Sequence, residues 1–285
     1  MTETAADRPA PVCLVAGDGR LPVLLAKAAK ARGVPLLCVQ ISGEGAELRD
    51  VADWYHRLEF GAWAEGLALL RRHQISRVLL AGVVTRQEIL ASALDDVAGR
   101  AIGRLADRRD QALFQQLAGL LGMLGIELLP QTAFAPDLLA PAGVLSAREP
   151  SPEEWDDARL ALRVASGLAA MDVGQTAVVR RGIVLAVEAA EGTDTAIRRG
   201  GAMSGGAAVG KVSRPRQDPR FDLPAVGLET LAAMRDVKAA VLAVEAGRTL
   251  MLDRAELMAQ ADAAGISIVA VEMPAPGGTD PTVSW

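Results

Sequence analysis

Histidine is nearly absent: His56 and His73 are the only two in 285 residues. That excludes His-rich zinc sites and the histidine-dependent two-metal sites of many phosphoesterases. A metal here would sit on oxygen ligands, the donor set of Mg²⁺ or Mn²⁺. Cysteine is equally scarce, and Cys13 and Cys38 both fall in runs that read as buried strands. They read as small core residues, and a reducing compartment is expected. Aromatic residues make up 3% of the chain against 51% hydrophobic residues, so the cores must be built from Ala, Leu and Val. There is no surplus of positive charge either. Thirty Lys and Arg against 35 Asp and Glu give a net charge of −5, with both signs interleaved, which argues against nucleic acid as a partner. The opening MTETAADRPAP has no apolar h-region, and the longest apolar window, residues 117–129, is too short to span a bilayer and carries Glu127. The expectation is a cytoplasmic protein, at most peripheral on a membrane.

What is present is enough chain for two domains. Val12 to Ala16 reads as a strand, followed by the turn Gly17-Asp18-Gly19-Arg20-Leu21-Pro22. Leu21, Leu24, Leu25 and Ala28 recur at helical spacing up to Gly33, and Val34 to Ile41 is a second strand, completing a βαβ unit. The turn has the first half of a dinucleotide fingerprint without its third glycine. Backbone N–H groups binding a phosphate or sugar oxygen, or a plain tight turn, are the readings it leaves open. Residues 63–72 predict a helix and 77–83 a strand. Thr85 and Arg86 then lie just beyond a strand end, where open α/β sheets bind ligands. The Leu-rich stretch 102–125 predicts one or two helices with Leu113, Leu117, Leu120 and Leu124 in the core. A proline-rich connection from Pro130 to Pro152 separates a domain 1–138 from a domain 139–285.

In the second domain Ser151-Pro152-Glu153-Glu154 starts a helix with a capping box, running to about Ala170. Residues 176–180 and 183–187 predict a hairpin turning at Arg181-Gly182. Residues 240–245 and 249–252 predict a second one, and a helix from Asp253 to Ala264 and a strand over 266–271 close the chain. The fold class is therefore α/β: an amino-terminal Rossmann-like parallel-sheet domain followed by a separate α+β carboxyl-terminal domain. The most informative stretch is 183–227. Alternation puts Val184, Ala186 and Glu188 on one face, so a buried face ends in a carboxylate. Glu191, Gly192, Thr193 and Asp194 follow, then a glycine-rich segment over 200–210, Lys211, Gln217, Asp218, Arg220, Asp222 and Pro224. Carboxylates and cations on one loop system suit metal-assisted chemistry at a phosphate. The other reading is a solvated, ion-paired loop. The glycine-rich segment reads as a mobile lid, a phosphate cradle or a merely flexible loop.

These motifs resemble the UDP-2,3-diacylglucosamine pyrophosphatases of the LpxI type, enzymes of bacterial lipid A synthesis. The resemblance rests on GxGxLP (Gly17, Gly19, Arg20, Leu21, Pro22), DxGQ (Asp172, Gly174, Gln175) and EAxEGTD (Glu188 to Asp194). Lys211, QDxRxDxPxxG (Gln217 to Gly227) and AVEAGRTLMLDR complete it. It implies that water cleaves UDP-2,3-diacylglucosamine to UMP and 2,3-diacylglucosamine 1-phosphate (lipid X), with attack on the lipid-side phosphorus and a divalent cation, Mg²⁺ or Mn²⁺. On this reading Asp222, with Glu188, Glu191 or Asp194, supplies metal ligands or the general base. Lys211 and Arg220 neutralise phosphate charge, and Gln217 and Asp218 orient water or ribose. Gly17, Gly19, Arg20, Leu21, Thr85, Arg86, Gln175, Gly192 and Thr193 are the expected substrate contacts. The lipid substrate would bring the protein to the inner-membrane surface. Two other classes remain: a nucleotide-sugar oxidoreductase using the first domain, and a non-catalytic nucleotide- or lipid-binding protein.

Overall fold

A computed structural model describes residues 9–102 and 110–274, apart from the side chains of residues 86, 90 and 110–113. The chain divides into two compact units. Unit 1 is Met1–Pro136 with Pro219–Asp222, and unit 2 is Asp137–Asp218 with Leu223–Trp285.

Unit 1 alternates strand and helix: β1 (Val12–Ala16), α1 (Arg20–Ala31), β2 (Leu36–Gln40), α2 (Ala46–Val51), β3 (Trp54–Arg57), α3 (Trp63–Arg72), β4 (Arg77–Ala81), α4 (Arg86–Ala91), α5 (Asp96–Ile102), α6 (Asp110–Met123) and β5 (Glu127–Leu128). Every strand pair is parallel, in the order β3-β2-β1-β4-β5. The inner strands are apolar apart from Gln40 at the end of β2 and Arg77 at the start of β4, as expected where helices cover both faces of such a sheet. Burial pushes the Cys13 thiol up, and that of Cys38 up to about 12, so both stay neutral. Residues 46–57, which carry no strong apolar period, nevertheless form α2 and the edge strand β3. In α6 the inward residues are Phe114 and Leu121, with Leu117 partly buried, whereas Leu124 is 42% exposed, contrary to the expectation of a core leucine there. Leu113 has its side chain outside the described residues.

Unit 2 contains β6 (Gly143–Val144), α7 (Pro152–Ala170), β7 (Thr176–Arg180), β8 (Ile183–Val187), α8 (Thr193–Gly201), β9 (Ala208–Lys211), β10 (Ala225–Val226), α9 (Leu228–Asp236), β11 (Val241–Glu245), β12 (Leu250–Met251), α10 (Arg254–Ala264) and β13 (Ser267–Val271). Ser151 and Glu154 form the expected capping box at α7. The main sheet runs β6-β13-β11-β9-β7-β8, with β9, β11 and β13 parallel and the outer strands antiparallel.

Three expectations are corrected here. The second hairpin does not form: β11 pairs in parallel with β9 and β13, and β12 pairs with β10 in a separate two-stranded sheet. An unbroken apolar run such as 241–245 fits an interior parallel strand, and the local pattern does not name its partner. Strand β8 lies at the sheet edge, with Ile183 63% exposed and only Ala186 fully buried, so Glu188 does not close a buried face. The segment 200–210 is not one continuous glycine loop: α8 runs to Gly201 and β9 starts at Ala208. Gly200 and Gly201 end α8 and are buried; a Cβ on Gly200 would stand 2.9 Å from the Cβ atoms of Val178 and Ala186, and one on Gly201 would strike Val237. Gly210 lies within β9, where a Cβ would come within 2.6 Å of the Ala161 carbonyl carbon on α7. These are packing glycines. Among the described residues no helix is long and apolar enough to cross a membrane.

Candidate functional site

Pairing register decides which side chains of unit 2 meet. Strand β7 runs against both of its neighbours, so its start faces the ends of β9 and β8: Thr176 pairs with Lys211, and Ala177 with Val187. Gln175, Thr176, Glu188 and Lys211 are thereby gathered at the carboxyl edge of the parallel strands. Helix α8 opens beside them behind its N-cap Gly192.

The hydrogen bonds run in series. Thr193 Oγ1 donates to Glu188 Oε1 (3.0 Å) and accepts from Lys211 Nζ (3.1 Å). Lys211 Nζ also donates to the Ala225 carbonyl (2.8 Å). Gln175 N–H donates to Glu188 Oε2 (3.2 Å), and Glu188 N–H to the Thr176 carbonyl (2.8 Å). Gly174 has to be glycine because a Cβ there would strike the Glu188 carbonyl oxygen. A lysine, a hydroxyl and a carboxylate at a helix N-terminus can neutralise an anion and take up a proton.

A second network fixes the chain beyond Lys211. Glu245, 5% exposed at the end of β11, accepts from Ser213 N–H (2.8 Å), Ser213 Oγ (2.6 Å) and Arg248 (3.2 Å). Arg248 donates to the Arg214 carbonyl (3.0 Å), and Arg214 Nε to Asp172 Oδ1 (2.9 Å). The Gln217 N–H also bonds the Arg214 carbonyl (3.0 Å). Sequence reasoning selected neither Glu245 nor Thr176. The available signal for Glu245 was a carboxylate closing an otherwise apolar strand.

The other acids of EAxEGTD behave differently. Glu191 is exposed and pairs with Arg199 (2.6 Å), which also donates to the Val187 carbonyl (2.8 Å). Its own backbone N–H and Arg199 hold the Glu191 carboxyl below the usual range. Asp194 is half-buried in the first turn of α8, where the helix dipole favours an anion. Among the described residues no three His, Cys, Asp or Glu side chains converge as a metal cage. The donor chemistry still suits Mg²⁺, which takes one or two carboxylates and completes its shell with waters and phosphate oxygens.

In unit 1 the turn after β1 is zipped to the end of β4. Asp18 N–H donates to the Val83 carbonyl (2.7 Å) and Val83 N–H to that of Asp18 (2.9 Å). A Cβ on Gly17 would come within 2.6 Å of the Val83 carbonyl oxygen. Gly19, at φ 100°, caps α1, and a side chain would be strained there. Arg20 pairs with Glu47 (3.1 Å), and Leu21 is buried. Thr85 caps α4, accepting from Glu88 N–H (3.2 Å), while Glu88 Oε2 accepts from Thr85 N–H (2.7 Å). The Ser42 hydroxyl and Thr85 hold the Glu88 carboxyl low. Arg86 opens α4, and its side chain is outside the described residues.

The QDxRxDxP stretch is divided. Gln217 and Asp218 belong to unit 2, Pro219–Asp222 to unit 1, and Leu223 onward again to unit 2. Within unit 1 the Pro219 carbonyl accepts from Gln131 N–H (2.8 Å), Phe221 stacks on Phe114 (centroids 4.5 Å apart), and the Arg220 guanidinium lies 5.5 Å from the Phe114 ring centre. Asp222 adopts a left-handed backbone, φ 51°.

An α/β sheet edge carrying a lysine and a helix N-terminus is suited to holding an anion. Family models described as the LpxI N-terminal domain and the LpxI C-terminal domain match residues 11–138 and 141–269. The chain belongs to the LpxI family. It is 32% identical over 277 residues to the UDP-2,3-diacylglucosamine pyrophosphatase LpxI of Caulobacter vibrioides, covering 91% of this chain and 96% of that one. Among solved structures, a GalE-like L-threonine dehydrogenase from Cupriavidus necator aligns with 50% of this chain and 44% of its own, at 16% identity and TM-score 0.26. A glycinamide-RNase-transformylase T from Mycobacterium tuberculosis aligns with 63% of this chain and 44% of its own, at 19% identity and TM-score 0.24. Scores that low carry no argument about this chain.

Proposed function

We propose that this protein hydrolyses the pyrophosphate bond of UDP-2,3-diacylglucosamine, releasing UMP and lipid X in lipid A biosynthesis. The observation that carries the reading is the Lys211–Thr193–Glu188 series at the start of α8, in a chain whose relative bears that activity in its name. Lys211 and the α8 N–H groups would neutralise the pyrophosphate, with Arg220 offering a fork that matches two oxygens. Water would attack the lipid-side phosphorus; its oxygen forms the new P–O bond, the bridging P–O bond breaks, and UMP leaves with the electron pair. Asp222 would take the proton released by water, with Gln217 and Asp218 orienting water or ribose. Mg²⁺ or Mn²⁺ would be held by one or two of Asp222, Glu188 and Asp194 together with phosphate oxygens, and would supply Lewis-acid charge neutralisation. The diacyl substrate would bring the protein to the inner-membrane surface.

The oxidoreductase alternative is disfavoured by Gln40. Dinucleotide-binding folds place an acid for the ribose hydroxyls near this strand end. Gln40 is 1% exposed and spends its amide N–H groups on the Gly17 and Ser42 carbonyls.

The test is UMP release from UDP-2,3-diacylglucosamine with Mg²⁺, with EDTA, and with Asp222→Ala. Metal-dependent turnover should fall at least about 10³-fold in the variant, with Tm and substrate binding retained. Unchanged turnover would remove Asp222 from the chemistry. UDP-sugar binding without turnover under any condition would leave a binding protein.

A further inference from the structure

We propose that Phe221 is the positioning residue for Asp222, acting through its stack on Phe114; the inference rests on the role proposed for Asp222. Phenylalanine is rare in this chain, four in 285 residues, and two of the four meet here. Their rings are nearly parallel, 11° apart with centroids at 4.5 Å, and Phe114 is buried. Phe221 packs against the core cluster of unit 1 that also holds Leu121, Val78 and Leu37. It is therefore a core side chain on a four-residue segment whose flanks both belong to the other unit.

The next residue, Asp222, holds a left-handed backbone, φ 51°. Aspartate reaches that conformation more readily than most side chains, but it remains a minority state that a held segment favours. Here the segment leading into Asp222 is held within unit 1 by the Phe221 stack and the Gln131 N–H bond to the Pro219 carbonyl. Phe221 has no group able to move a proton or bind a metal. It falls at a position that QDxRxDxP leaves open, so its contribution is to fix where the Asp222 carboxylate is presented.

The test combines steady-state kinetics with amide hydrogen exchange. Phe221→Ala should lower kcat about 30- to 100-fold with KM within about threefold, because misplacing a reacting group by an ångström costs that much. Phe221→Tyr should restore kcat to within about threefold, and Phe114→Ala should reproduce the loss. Added to Asp222→Ala, Phe221→Ala should change the residual rate less than about twofold. Amides 220–223 should exchange faster in Phe221→Ala while β1 and β4 stay protected. If Phe221→Ala does not fold, Phe221→Leu keeps apolar volume and should still lower kcat about tenfold. Wild-type kcat in Phe221→Ala, or a further large loss on top of Asp222→Ala, would overturn the proposal. So would unchanged exchange at 220–223. Exchange needs no turnover: if the wild type released no UMP, the function would fall while the exchange arm still decided the anchor.

Discussion

The carboxyl edges of the two sheets are filled in opposite ways. In unit 1 the main chain closes the edge: the Asp18–Val83 bridge and Gly17 leave no room for a side chain, and Thr85 is spent on a helix cap. Its charges, Arg20, Lys27 and Glu47, pair on the exposed surface. In unit 2 the edge is filled by side chains, with Lys211, Thr193 and Glu188 in series and the buried carboxylate of Glu245 behind them. A strand end thus gathers ionisable groups only where the neighbouring strands deliver them. Where backbone meets backbone it can offer only N–H groups and shape.

The sharpest way to break that contrast is to remove one cation from each edge. Lys211→Ala should lower UMP release about 10²- to 10³-fold, the cost of losing a preorganised charge at a phosphate, with the fold retained. Arg20→Ala should change it less than about fivefold. Equal losses would erase the distinction.

A smaller effect concerns what supports the unit 2 sheet. Burial raises the Glu154 pKa, but the Ser151 N–H and Arg148 outweigh it and leave the carboxyl below its usual range. A depressed carboxylate contributes stability that is present above its unfolded value and lost as pH falls through its folded one. Glu154→Gln should therefore cost about 1 kcal/mol in urea melts at pH 7. The difference should vanish on acidification below the ordinary glutamate range. A gap that widened in acid would reverse the assignment.

The smallest effect is expected at Glu191. Although it lies three residues from Glu188, it forms a local pair with Arg199, so Glu191→Ala should keep UMP release within about threefold.

Elements announced by local chemistry were legible in the sequence. The Ser151–Glu154 box starts α7, Arg181 and Gly182 at positive φ turn the β7–β8 hairpin, and β1 and α3 fall where their periodicity puts them. What depended on distant partners was not. The same apolar run serves a hairpin or a parallel strand, so β11 was mispaired. A packing glycine has the composition of a loop glycine, which hid the end of α8 and Gly210. Residue types at the candidate site were readable, but their grouping comes from the Thr176–Lys211 register, 35 residues apart in the chain. Nothing in the local pattern told that Phe221 would leave its neighbours for the core of unit 1.

The most direct test of the account is UMP release by Glu188→Gln at saturating Mg²⁺, with Glu191→Gln measured alongside. The account predicts that Glu188→Gln loses at least about 10²-fold while Glu191→Gln stays within about threefold of the wild type. Wild-type turnover in Glu188→Gln would contradict the proposal that Glu188 is one of the carboxylates that hold the metal beside Lys211 and Thr193.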